Sequence, residues 1–306
     1  MVDPVEIHPF SWEDLENFTH LANAVKGLKN SLRAHDVPST GAWLSQPGLD
    51  PLKNCMVARN RYGLIGYVLV TPETLIQRAV LEGGVNPQHQ YRDVRSQLLT
   101  WGVAKAQDLG ATVAHMASSE EDHNTRLFLQ SHHFSHVRHY WQMRCETRTI
   151  PDPDYPNDVR IRSFEAGDDT ALAEVQNAAF GGQWGFCPNT PEEIGYRVRM
   201  GGASPEDVLF LLRASQVAGY CWTRIDGPPG DSIGVISMIG VHPEHRGSGM
   251  GRRILLEGME YLWDRGVQAV ELEVDSVNTA ARELYLSVGY HKVGGIMWYE
   301  QSLPGH

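Results

Sequence analysis

The second half of the chain carries its hydrophobic residues in two rhythms. VLFLLRA (208–214), VAGYCWTRI (217–225) and SIGVISMIGV (232–241) are apolar runs of strand length, separated by Ser-Gln and by GPPGD turn chemistry. IRSF (161–164) and AVELEVD (269–275) add two further strands, and VGGIMWYEQSL (293–303) closes the chain in strands. Between them the period lengthens. AGDDTALAEVQNAAF (166–180) places Leu172, Val175 and Ala179 on one helical face. TPEEIGYRV (190–198) opens a second helix: Thr190 suits the N-cap, Pro191 the first turn, and Glu193 closes a capping box. A third helix runs from Met250 to about Arg265, with Gly266 as its stop, and a fourth from Asn278 to near Gly289. The order predicts an α+β fold, a mainly antiparallel sheet flanked by helices.

The first half repeats the second. An offset of 156 residues aligns VNPQHQYRDVRSQLL (85–99) with VHPEHRGSGMGRRIL (241–255), and DHNTRLFLQSHHF (122–134) with NTAARELYLSVGY (278–290). With a slight shift, LIGYVLV (64–70) resembles VAGYCWT (217–223). Two copies of one fold are expected, residues 1–149 and 159–306, joined by the Pro- and Asp-rich linker 150–158.

One stretch carries the chemistry. A strand, the Gly-rich turn Arg246-Gly247-Ser248-Gly249-Met250-Gly251 and a helix follow in order. Helix starts expose unpaired N–H groups and a partial positive charge, and glycine lets an anion approach the backbone. Arg246 and Arg252 add charge. A surface turn is the alternative. No GK[ST] follows, so this is not a P-loop, and no GxGxxG supports a dinucleotide fold.

Composition narrows the class. The chain has 306 residues, 42% of them hydrophobic, enough for two ordinary domains. Residues 1–150 hold 14 Lys+Arg against 15 Asp+Glu; residues 151–306 hold 12 against 22. An acidic second half argues against a nucleic-acid partner and suits a cationic amine, or simply a solvated surface. No apolar run reaches membrane-spanning length and no signal pattern opens the chain, so a cytoplasmic protein without a membrane partner is expected, as monomer or homodimer. Cys55, Cys145, Cys187 and Cys221 are scattered, without zinc spacing, and read as reduced thiols. HHFSHVRH (132–139) invites a metal, but no Cys or acidic companions stand nearby; none is expected.

The R-x-x-G-x-G turn after I-x-V-x-P, and N-x-x-A-x-x-L-Y-x-x-x-G-Y from Asn278 to Tyr290, resemble the two motif blocks of the GNAT acetyltransferase superfamily. The tandem arrangement is similar to the double-GNAT group that includes mycothiol synthase. The resemblance implies acetyl-CoA as co-substrate. Its pyrophosphate would lie on the backbone of Arg246, Gly247, Ser248, Gly249, Met250, Gly251 and Arg252, and its pantetheine arm along Ile239, Gly240 and Val241, with Asn278 nearby. Tyr285 matches the family's general acid, returning a proton to the thiolate. A phenol of pKa ~10 can serve a thiolate of pKa ~8.5 when positioned beside it. A packed aromatic is the alternative for Tyr285, and a plain N-cap for Asn278. In the mycothiol-synthase group a glutamate base sits on the strand before the glycine loop; SIGVISMIGV has no acid. Glu273, on one face with Glu271 and Asp275, is the substitute base, or a solvated strand edge.

In the first copy Arg246 aligns with Gln90, Gly249 with Asp93, Gly251 with Arg95 and Tyr285 with Leu129. A carboxylate and a long cation replace the glycines, and the acid is gone, so that copy is expected not to catalyse. Because its frame survives without them, Gly249 and Gly251 point to a ligand rather than to the fold. The loop 180–193 of the second copy offers Trp184, Phe186, Glu192 and Glu193 as an aromatic and acidic wall for the acceptor, or as a plug over the core. The expected reaction is direct attack by an amine on the thioester, since no cysteine stands in a nucleophile motif. The acceptor is a small amine, an amino-sugar or cysteinyl conjugate, or a peptide N-terminus. A non-catalytic acyl-CoA sensor is the other class left open.

Overall fold

The computed structural model describes residues 4–27, 34–88, 92–148, 158–200 and 203–304. Gln90 and residues 150–157 of the linker lie outside them. The chain forms two compact units, Met1–Arg138 with Met297–His306, and His139–Ile296.

The first unit begins with β1 (Glu6–Pro9), α1 (Leu15–Val25), α2 (Val37–Leu44) and the single turn α3 (Pro51–Asn54). It continues with β2 (Cys55–Asn60), β3 (Gly63–Glu73), β4 (Arg78–Val85), α4 (Arg92–Asp108), β5 (Val113–Ser119), α5 (His123–Ser131) and the start of β6 (Ser135–Cys145). Its strands run in the order β1-β2-β3-β4-β5, antiparallel except for the β4–β5 pair.

The second unit takes the rest of β6, then β7 (Val159–Ser163), α6 (Asp169–Phe180), α7 (Pro191–Arg199), β8 (Val208–Arg213), β9 (Gln216–Asp226) and β10 (Ile233–Val241). After these come α8 (Met250–Trp263), β11 (Ala269–Asp275), α9 (Thr279–Val288) and β12 (His291–Ser302). Its order is β6-β11-β10-β9-β8-β7, with β10–β11 parallel and the other pairs antiparallel. The α+β expectation holds.

The repeat is visible at the level of single hydrogen bonds. Asn23 brackets the backbone of His35 with its side-chain amide at 2.8 and 3.0 Å, just before the Asp36 cap of α2. Asn177 does the same to Asn189, at 2.9 Å both ways, before the Thr190 cap of α7. The expected capping box is present, with Glu193 accepting from the Thr190 amide at 2.7 Å. Asp122 and Asn278 cap α5 and α9 alike. Each of those helices ends on a paired 6→1 and 5→2 closure. Tyr290 N–H reaches Tyr285 O and Gly289 N–H reaches Leu286 O; Phe134 and His133 repeat the pattern onto Leu129 and Gln130. The left-handed residue is Gly289 in one copy and His133, at φ 66°, in the other.

Sequence copies and compact units divide the chain differently. Residues 139–145 of β6 belong to the second unit, where they pair with β11 from Tyr140↔Asp275 to Cys145↔Val270. Met143 and Cys145 are fully buried there among Leu255, Met259 and Leu272. Residues 297–306 belong to the first unit, where Tyr299 and Leu303 join Leu81, Leu129 and Phe134. Each unit carries a polar pair at matching positions. Glu271 accepts from Arg144 at 2.9 Å, and His115 meets Glu300 at 2.7 Å.

Among the described residues no helix is long and apolar enough to cross a membrane.

Burial holds the His115 imidazole below its ordinary value of 6.5; Arg78 adds to this, while Glu300 and Glu73 oppose it. A folded pKa below the unfolded one means the unfolded chain takes the proton first. The His115 contribution is therefore complete above pH 6.5 and is lost as the pH falls through the depressed folded value. Urea midpoints measured between neutral and acidic pH should show this loss, and His115→Gln should flatten it. A second expectation follows from β6. Residues 159–306 expressed alone lack Met143 and Cys145 and leave the β11 edge open, so they should aggregate on size exclusion; a folded monomer would contradict this.

Candidate active site

The parallel ladder between β10 and β11 lasts four pairs, Ile233↔Ala269 to Ile236↔Leu272. Both strands continue beyond it, β10 to Val241 and β11 to Asp275, without further pairing. On its other edge β10 stays paired to β9, but with a bulge at Ser237 between Ile236↔Thr223 and Met238↔Trp222. One edge of Met238–Val241 therefore faces a split in the sheet; the β4–β5 ladder of the first unit also ends after four pairs, Arg78↔Val113 to Leu81↔Met116, so the split belongs to the shared fold and the bulge to β10 alone. Sequence analysis did not anticipate the bulge. Its signal is arithmetic: Val85 aligns with Val241 at an offset of 156, but Arg78, at the start of β4, corresponds to Ile233, at 155. In the first unit β4 pairs with β3 without interruption.

Side chains beyond the bulge alternate. Ile239 and Val241 pack on the core under α8. Met238 faces the core under α6 and α7. Gly240 faces it too, and a Cβ there would come within 2.8 Å of Ala179 and 3.1 Å of Phe180 and Tyr220. Gly240 is what lets α6 approach.

The turn into α8 is braced by its own side chains. Arg246 donates to Val241 O at 3.2 Å and to Ala179 O at 2.7 Å, tying the loop to the end of α6. Ser248 Oγ donates to His245 O at 2.7 Å, and Arg252 to Ser287 at 2.9 Å. The Met250 side chain is buried in the core, so only its amide can face a ligand. No side chain caps α8; its first bond runs from Arg253 N–H to Gly249 O at 3.1 Å. The amides of Met250, Gly251 and Arg252 therefore have no intrahelical acceptor, and the helix dipole makes their end positive.

The two glycines differ. Gly249 has φ 81°, and Gly247 φ 75°, so the turn itself favours glycine at both. The expectation that Gly249 answers only to a ligand is corrected on that ground. Gly251 stands in the first turn of α8, where a Cβ would lie at an ordinary 3.7 Å from Leu284. Nothing in the fold requires it. At the matching place in the first unit, the Arg95 guanidinium stacks on Phe128 at 4.1 Å and donates to Thr125 Oγ1 at 2.7 Å. Asp93 stands in the first turn of α4.

Tyr285 lies on α9, 6% exposed, with its ring 5.8 Å from Tyr290. Burial pushes its phenol well above the ordinary value, with Cys221 adding to this, so it holds its proton across the working pH range. Leu129 takes its place in the first unit and is fully buried. Asn278 Oδ1 caps α9 through Ala281 N–H at 3.2 Å. Burial likewise raises the Cys221 thiol far from any thiolate role.

Val270, Leu272 and Val274 share the core with Tyr285. By alternation Glu271, Glu273 and Asp275 occupy the opposite face, the side of α6 and α7. The structure thus brings Glu273 to the side of the acceptor loop and sets Tyr285 across the sheet. Glu273 is exposed and accepts from Gln142 at 3.1 Å. Trp184 stands 6.4 Å from Tyr140, and Phe186 stacks on Phe180 at 5.5 Å. The Glu193 carboxylate is spent on the Thr190 cap, while Glu192 is exposed beside it. Tyr140, Gln142 and Phe180 were missed because two of them come from the first sequence copy and the third reads as helix core. In the histidine run, His132 is held by Phe128 O and Ser96 Oγ. Among the described residues no group of three or more His, Cys, Asp or Glu could hold a metal ion.

Residues 170–290, which span this arrangement, match the acetyltransferase (GNAT) family model. The mycothiol acetyltransferase of Stackebrandtia nassauensis is 34% identical over 225 residues, 69% of this chain and 71% of that one. The chain belongs to the GNAT acetyltransferase family. The mycothiol acetyltransferase of Pseudarthrobacter chlorophenolicus is 31% identical over 234 residues, 74% and 71% of the two chains. Two solved structures share the fold of this GNAT protein. A GCN5-related N-acetyltransferase from Sphaerobacter thermophilus gives a TM-score of 0.75 at 22% identity, covering 99% and 97% of the chains. A tandem GNAT protein from the clavulanic acid biosynthesis pathway gives 0.73 at 15%, covering 99% and 100%.

The glycine contrast is measurable. Gly249→Ala should lower stability by about 1 kcal/mol, the cost of a left-handed L-residue in open space. Gly251→Ala should leave stability unchanged or raise it by up to about 1 kcal/mol, the helix-propensity difference. Equal losses in thermal unfolding would contradict the distinction.

Proposed function

We propose that this acetyltransferase moves the acetyl group of acetyl-CoA to a primary amine of a small molecule, at the β10–β11 split of the second unit. The observation that carries the reading is the contrast between copies. Where the first unit has Asp93, Arg95 and Leu129, the second has Gly249, Gly251 and Tyr285 in the same frame. An open turn, uncapped amides and a buried phenol fit a pyrophosphate, an extended arm and a leaving thiol. The first copy packs Arg95 on Phe128 at the place of Gly251 and has Leu129 at that of Tyr285, and we assign it no catalytic role.

The thioester supplies the activated acetyl group. The amides of Gly247 to Arg252 hold the pyrophosphate, and the free edge of Met238–Val241 pairs with the arm. Glu273, directly or through water, takes the ammonium proton. The amine nitrogen then bonds to the acetyl carbon as the carbon–sulfur bond breaks. Tyr285 gives its proton to the departing sulfur, the nitrogen sheds its surplus proton to solvent as the amide forms, and Tyr285 regains a proton from solvent. A neutral, buried phenol donates only as charge develops next to it, which suits an acid in the second half of the reaction. The named relatives make a mycothiol-type acceptor the first to test. β10 carries no carboxylate, and for that reason the base is assigned to β11.

Calorimetry should give one acetyl-CoA site per chain, abolished by Gly249→Asp with Gly251→Arg; two sites would overturn the inactive first copy. Thiol release with a panel of amines should reveal turnover, and Tyr285→Phe should lower kcat by about 100-fold or more with acetyl-CoA affinity unchanged. Tight acetyl-CoA binding with no turnover on any amine would make the protein an acyl-CoA sensor instead.

A further inference from the structure

Strand β10 carries one residue that its counterpart β4 lacks. Alternation of side chains breaks at that point. Ile236 faces the core under α8 and Met238 the core under α6 and α7, with Ser237 between them. Ser237 Oγ accepts from Arg224 Nη1 at 3.0 Å. By alternation Arg224 shares its face of β9 with Tyr220 and Trp222, which pack in the core under α6 and α7. Ser237 and Met238, consecutive in sequence, therefore stand on one face. Bulges beside active sites re-aim a side chain, and the side chain re-aimed here is a hydroxyl.

Ser237 is exposed and lies where the two strands begin to part. The last pair of the parallel ladder is Ile236↔Leu272; the next residues are Ser237 and Glu273, on the same face. A charge stands ready behind the hydroxyl. Arg224 donates to both carboxylate oxygens of Asp226, at 3.0 and 3.2 Å, while its Nη1 reaches Ser237. A guanidinium only donates, so Ser237 Oγ is the acceptor in this bond and its O–H is left to donate elsewhere. Receiving a bond from a cation makes that O–H a stronger donor. The first unit has neither group. Thr71 lies opposite Val80 there, as Arg224 lies opposite Val235, and β4 has no counterpart of Ser237.

We propose that Ser237, backed by Arg224, reads an oxygen of the acceptor close to its amine. This inference rests on the acetyltransferase reading above. Glu273 receives the ammonium, and Ser237 donates to a carbonyl or similar acceptor atom. Neighbouring strands lie ~4.8 Å apart, so the amine and the oxygen-bearing group must sit on adjoining carbons. An α-amino carbonyl compound has that spacing. A plain alkyl amine offers the hydroxyl nothing.

The test compares an α-amino amide with the alkyl amine of the same size, at equal concentrations of free base, in the full chain. Wild type should favour the amino amide in kcat/KM by at least fivefold. Ser237→Ala should lower that preference at least threefold, the scale of one lost hydrogen bond, and Ser237→Thr, which keeps a hydroxyl, should retain it. Lost packing would slow both amines alike and leave the preference untouched. A smaller change in Ser237→Ala overturns the inference alone. So does a wild type that acetylates other amines but shows no preference for the amino amide. A wild-type chain that binds acetyl-CoA by calorimetry yet acetylates no amine overturns the proposed reaction, and this inference with it.

Discussion

Two parallel strands that stay together for only four residue pairs govern the second unit. A parallel ladder normally continues as long as both strands do, because each unpaired backbone group loses a hydrogen bond. Here β10 follows β9 instead of β11 past Ile236, as β4 follows β3 instead of β5 past Leu81, and β10 alone gains a residue, at Ser237. Much else depends on that choice. Ile239 and Val241 turn to one core and Met238 and Gly240 to the other. Gly240 admits α6, and Arg246 locks the glycine turn onto the same helix through Ala179 O. The end of β10 thereby ties the split, the turn and the covering helix together.

Much of this was legible in the sequence. The copies announced themselves by a common offset, and the capping box at Thr190, the cap at Asn278 and the stop at Gly289 were readable because each depends on residues three to five apart. The two motif blocks, Arg246–Gly251 and Asn278–Tyr290, were legible for the same reason. What sequence could not supply lies in long-range partners. Phe186 reads as a pocket wall until it stacks on Phe180. Gly249 looked dispensable to the fold because Asp93 holds its place elsewhere, but its φ of 81° gives the backbone a claim of its own. Tyr140 and Gln142 were invisible as neighbours of Trp184 and Glu273, since 44 residues separate Tyr140 from Trp184 and 131 separate Gln142 from Glu273.

The two copies also keep one scaffold under different polar groups. Val94 keeps the buried position of Met250, Leu129 that of Tyr285 and Phe134 that of Tyr290. Apolar volume is retained while the polar groups differ. The Arg95 guanidinium finds an aromatic face, a hydroxyl and, through Thr125, the carboxylate of Asp122.

The exchange of end strands bears on how the chain is made. Tyr299 and Leu303 complete the core of the first unit, yet they are translated after the whole of the second unit. The segment His139–Cys145, which lies against β11, is by contrast translated before nearly all of the second unit. A nascent chain usually closes its domains from the N-terminus onward. In this protein the earlier-translated unit must wait for residues that follow the other unit, holding an incomplete core through the whole period in which that unit is being made.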